Sequence, residues 1–217
     1  MSWRQVLYSF KAKSCLMVSS SAVIELIILQ ISVAFSPGLI IALIVNESVQ
    51  KSRKNGLQVA GGAATGAIFI TIITAGVVTF VFNLIPQILT IIYIVGIIYI
   101  LYKGIDTIRS GVETQSKVIS SGSFNAGMKL NLINPKMWVF YLSVLPIFVT
   151  ESGNVFLQLI YLGIVTIFVN LIADVSYAFM SSYFFQTSSI KTKKLINTIS
   201  GICLVLIGIY LFFSRFL

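Results

Sequence analysis

Residues 22–45 read AVIELIILQISVAFSPGLIIALIV. The run is apolar and long enough for a helix to cross a hydrocarbon layer of about 30 Å, which takes about 20 residues. It is also interrupted at Ser36-Pro37-Gly38. Proline removes a helical hydrogen bond and crowds the preceding turn. At membrane depth the freed carbonyls are tolerated only where protein or a water-lined cavity satisfies them. A first span with a break inside it is therefore expected, followed by a basic loop carrying Lys51, Arg53 and Lys54. Glu25 falls near the start of the run, where an interfacial position suits a carboxylate.

The same reading extends outward along the chain. Residues 57–82 form a second apolar run, whose Gly62 and Gly66 make a small-xxx-small face on which a neighbouring helix can approach closely. An uncharged turn, Asn83-Leu84-Ile85-Pro86, leads to a third run at 87–102. The polar stretch 103–123 reads as a linker. A fourth run, 126–149, is broken again, by Asn134-Pro135-Lys136, and runs at 155–184 and 195–213 complete six. The expectation is an all-α membrane protein of six transmembrane helices: an N-terminal extension at 1–21, a three-helix half at 22–110, a linker at 111–123 and a second half at 124–217. Met17 immediately precedes the first apolar run and is a candidate native start, residues 1–16 then being an extension.

Composition agrees with membrane solvation. Of 217 residues, 57% are apolar and 10% charged, where a soluble domain carries roughly a quarter charged; the mean hydropathy is +0.99. A formal net charge of +9 raises the question of nucleic acid, but the Lys and Arg residues sit at the ends of apolar runs. There they act as topology signals and headgroup contacts, and no separate basic face remains for a nucleic acid. The basic loops near 51–54, 103–123 and 187–194 are expected in the cytoplasm. Without histidine, and with only Cys15 and Cys203, the chain cannot build a disulfide framework or a Cys/His zinc site. No cofactor is expected.

Three spans, a linker and three more spans suggest duplication, and an odd number of spans per half inverts one half relative to the other. Pro37 corresponds in place to Pro135, and Leu57-Gln58 to Leu157-Gln158. Gly96-Ile97, Leu101 and Gly104-Ile105 are echoed by Gly201-Ile202, Leu206 and Gly208-Ile209 with one gap. Inverted repeats with helices broken at matching positions point to a binding site at the bilayer midplane. The plainer alternative is that each break merely bends a helix for packing.

A charge near the bilayer centre costs about 2.5–3.5 kcal/mol on insertion scales, so Asp174 is the first candidate for a working residue. It falls one turn from Asn170, on one helix face with Tyr177 nearby. It could hold a substrate ammonium or take up a proton; the structural alternative is a pairing with Lys136 or Lys129. Lys136 could meet a substrate carboxylate or snorkel to headgroups, and Lys129 is placed for snorkelling. Backbone at Ser36, Pro37, Gly38, Asn134 and Pro135, with Asn131 and Asn170, completes the expected substrate and ion site. Trp138, Phe140 and Tyr141 read as packing groups.

At these motifs the chain resembles the LysE/RhtB family of amino-acid exporters. Ser36-Pro37-Gly38 is similar to the family's Pro-Gly in the first helix, with Leu39 where a second proline is usual. Ser52-Arg53-Lys54-Asn55-Gly56-Leu57 with Gly62 and Gly66 resembles its basic loop and glycine-spaced second helix. The most specific likeness is Phe124, Gly127, Asn131, Asn134-Pro135-Lys136, Phe140 and Leu145-Pro146 with Phe148. The resemblance covers about residues 22–214 and departs from the family at Asn170, where many relatives carry an acid, and at Ile147, where glutamine is common. It implies a non-enzymatic secondary exporter of amino acids or similar small metabolites in the cytoplasmic membrane, with protons as the coupling ion and a homodimer as one option. No Walker motif exists to couple ATP. The competing expectation is a divalent heavy-metal exporter of the same superfamily, which the absence of histidine opposes.

Overall fold

A computed structural model describes residues 18–36, 38–85, 88–109, 123–150, 153–187 and 190–216. Residues 1–17, including the candidate start Met17, Pro37 and the 110–122 part of the expected linker lie outside them. Among the described residues all regular structure is helical. The first apolar run forms α1 (Ser20–Ala34) and α2 (Leu39–Gln50), bent by 55° across the expected break. Ser19 caps α1, its hydroxyl accepting from the Ala22 N–H at 3.2 Å. Helix α3 (Arg53–Leu84) is capped by Ser52 and runs unbroken for 32 residues, about 48 Å at 1.5 Å per residue.

Helix α4 (Ile88–Arg109) extends seven residues beyond the apolar run that ends at Tyr102. The expected linker thus begins later than its polarity suggests, because Lys103 and Thr107 face the protein interior rather than lipid. The fourth run is divided between α5 (Ser123–Ile133) and α6 (Pro135–Val139). From α6 the chain continues through a π turn (Phe140–Val144) into a 3-10 turn (Leu145–Phe148). Helices α7 (Val155–Thr187) and α8 (Ile190–Phe216) complete the described chain.

Helices α3, α4, α7 and α8 are each long and apolar enough to cross a membrane, and the bent α1–α2 pair makes a fifth crossing if taken as one span. The segment Pro135–Phe148 is apolar but short, about 21 Å, so a sixth crossing needs α5 joined to it. The outer surface carries Phe80, Ile98, Ile164 and Leu206, each more than half exposed. A belt of that kind is stable only against lipid. The chain is a multi-pass membrane protein.

Packing is closest where α3 meets α5, α4 meets α8 and α3 meets α7. Glycine makes the first of these possible: a Cβ on Gly62 would fall on the Phe124 carbonyl, and one on Gly127 on the Val59 carbonyl. Gly66 faces the Met128 carbonyl and the Asn131 side chain. The small-residue face of the sequence is therefore the α3–α5 seam. Near the start of α5 a polar clasp holds three elements together. Ser123 donates to the buried Glu47 carboxylate at 2.6 Å, Lys51 pairs with the same carboxylate at 2.9 Å, and Asn55 donates to Ser123 at 2.9 Å.

Candidate functional site

Both helix breaks open onto one cavity of about 300 Å³. Its wall includes Ser36 and Gly38 from the first break, Asn131, Asn134 and Lys136 from the second, and Asn170 and Asp174 from α7. Seven of the nine residues expected to bind substrate or ions therefore share a single chamber. Pro37 lies outside the described residues. Pro135 is exposed and is not among the residues lining the cavity. It opens α6 at the first helical position, where proline's missing N–H costs nothing. Its part is to end α5, leaving the flanking Asn134 and Lys136 to supply the wall. Gly62 and Gly66 stay at the helix seam, as their expected packing role requires.

The carbonyls at the breaks are satisfied by aromatic donors. Tyr177 donates to the Phe35 carbonyl at 2.9 Å, Trp138 to the Leu132 carbonyl at 2.6 Å, and Tyr99 to the Lys136 carbonyl at 3.4 Å. Trp138 is thus more than the packing group its composition suggested. On the donor side, Asn134 caps α6 by accepting from the Lys136 N–H at 3.1 Å. The N-cap of α2, Gly38, offers no side chain. The first N–H groups of α2 keep their partial positive charge at the cavity wall, where Leu39, Ile40 and Ile41 line it.

Asp174 is half-buried. The ion pairs found among the described residues are Lys51–Glu47 and Lys103–Asp106, so Asp174 makes neither of the pairings with Lys136 or Lys129 that would have made it structural. Lys129 is exposed, as its snorkelling position suggests. Glu25 accepts from Tyr210 at 3.1 Å, tying α1 to α8.

Gln30, Lys103, Thr107 and Asn197 also line the cavity, and sequence reasoning missed all four. Gln30 carried a visible signal, a lone amide inside a long apolar run. It donates to Asn170 Oδ1 at 2.6 Å, while its own Oε1 is buried without a partner, as is Oδ1 of Asn131. The chamber wall thus offers a carboxylate for a cationic group, with a lysine and a helix N-terminus for an anionic one. Gln30→Leu leaves Asn170 without its donor and is expected to weaken substrate binding by about 1–3 kcal/mol; a binding titration on purified protein checks it.

Among the described residues no three His, Cys, Asp or Glu side chains gather as a metal would require. A family model described as LysE type translocator matches residues 31–215. The uncharacterized membrane protein slr1627 of Synechocystis sp. is 27% identical over 184 residues, covering 82% of this chain and 89% of that protein. The uncharacterized membrane protein YrhP of Bacillus subtilis is 26% identical over 188 residues, covering 80% and 90%. No solved structure gives a significant match.

Proposed function

The chain belongs to the LysE type translocator family, whose members carry a substrate across the membrane, and from that premise we propose that it is a secondary exporter of amino acids or closely related zwitterions, driven by the proton gradient. One observation carries the reading: both helix breaks, Asp174 and Lys136 line the same small chamber. A zwitterion needs an anion and a cation at opposite ends. Asp174 suits the ammonium, and Lys136 with the uncapped start of α2 suits the carboxylate. At about 300 Å³ the chamber lies at the small end of ligand sites, which run from about 300 to 1,000 Å³, a size that suits a single small metabolite.

Asp174 then serves two cargoes in turn, holding the ammonium on the way out and a proton on the return. The breaks in the first and fourth spans belong to two inverted three-helix halves that rock about the chamber, with the loops near 51–54, 103–123 and 187–194 in the cytoplasm. A divalent metal as cargo finds little support, since soft cations need imidazole or thiolate donors and the chain has no histidine and two cysteines.

Counterflow of twenty labelled amino acids in proteoliposomes tests the reading. At least one is expected to exchange across the bilayer and to accumulate when a proton gradient is imposed. Exchange of none of them, with cadmium or another divalent cation transported instead, would overturn it.

A further inference from the structure

The chamber wall also carries polar residues from α4 and α8. These helices cross antiparallel, Gly201 meeting Gly104 and Ile108 while Gly208 meets Leu101 and Ile100. The approach is close: a Cβ on Gly104 would lie 2.9 Å from the Gly201 carbonyl, and one on Gly201 2.6 Å from the Gly104 carbonyl. Thr107 comes three residues after Gly104 and Asn197 four before Gly201. In an antiparallel pair both lie one turn beyond the crossing, on the same side. Each is buried, at 4% and 6% exposure, and each lines the cavity together with Lys103.

Asn197 Oδ1 is buried without a hydrogen-bond partner. Buried acceptors are nearly always paired, so this one calls for a partner that the described side chains do not supply. Lys103 is held by Asp106 on its own helix, so this part of the wall offers hydrogen bonds with its charge largely compensated.

We propose that Lys103, Thr107 and Asn197 form a second subsite that receives the side chain of the transported zwitterion and selects for an uncharged side chain bearing an N–H or O–H donor. The proposal rests on the reading that the zwitterion's charged groups lie at Asp174, Lys136 and the helix breaks. Thr107 accepts or donates as its hydroxyl rotates, and Asn197 Oδ1 accepts. An apolar side chain would leave both unmade, and a site built to hydrogen-bond a group rejects the analogue that lacks it.

The test is counterflow by the full-length chain in proteoliposomes, with threonine set against 2-aminobutyrate and glutamine against norvaline. The donor-bearing member of each pair is expected to exceed its partner about 10-fold or more in kcat/KM. Asn197→Leu is expected to bring both ratios close to 1, and Thr107→Val, a smaller change of shape, to lower them in the same direction. Gly76→Ala, at a position with nothing within 4 Å of an added Cβ, keeps the native ratios. Ratios unchanged in both subsite variants, or glutamate outrunning glutamine, would overturn the subsite and leave zwitterion transport standing. Absence of flux for every amino acid by the native protein would overturn both.

Discussion

Asp174→Asn is expected to abolish proton-driven uphill export while the protein still inserts and folds. The substitution keeps the shape of the side chain and removes only its charge and its capacity to carry a proton. Asp174 makes no ion pair among the described residues, so none of the described ion pairs is broken. Losing an intramembrane charge relieves an insertion cost of about 2.5–3.5 kcal/mol, and thermal stability in detergent should not fall. A hydrogen bond between carboxylate and ammonium contributes about 1.5–3 kcal/mol, so substrate affinity should drop about 10- to 100-fold. Accumulation against a gradient in vesicles and a melting curve are the two readouts. Normal uphill export by the variant would show the acid to be dispensable for coupling.

The largest effect on stability is expected at the α3–α5 seam. An alanine Cβ at Gly62 would press on the Phe124 carbonyl and on the Met128 nitrogen, and one at Gly127 on the carbonyl and Cα of Val59. These are backbone atoms, which cannot rotate aside, so the helices must separate. Overpacking of this kind costs about 1–3 kcal/mol and occasionally more, and each variant should melt well below the native protein. Transport should fall as well, because Asn131, whose Nδ2 donates to the Ala63 carbonyl across the same seam, carries part of the cavity wall. Gly61→Ala is the contrast, since its Cβ would meet only the edge of the Phe124 ring at 3.7 Å. A melting temperature for Gly62→Ala equal to that of Gly61→Ala would contradict the close crossing.

The membrane class and the two breaks were legible because hydropathy and proline act locally. An apolar run long enough to span, and a ring that forbids a hydrogen bond, mean the same thing wherever they occur. Asp174 and Asn170 were legible for a related reason: a polar residue deep inside an apolar run has to be accounted for. Gln30 satisfied the same criterion and was overlooked, since attention to charge passes over a neutral amide.

Lys103 and Thr107 were hidden differently. The apolar run ends at Tyr102, yet α4 continues to Arg109, because residues facing the chamber need not be apolar and so the hydropathy signal stops before the helix does. Asn197 falls inside the sixth apolar run, two residues after its start, and was passed over as Gln30 was, as a neutral amide. The pairing of Gly62 with Phe124 and Gly127 with Val59 depends on which helices meet, and spacing within one helix carries no such information.

The central claim is that the two interrupted helices meet across one chamber with polar residues in its wall. It is tested most directly by placing cysteines at Ser36 and Asn134 in a chain whose native Cys15 and Cys203 have been replaced. Both positions should be labelled by a small hydrophilic thiol reagent, a short bifunctional reagent should join them within one chain, and transported substrate should slow both reactions. Cysteines that react only with lipid-soluble reagents and never cross-link would contradict it.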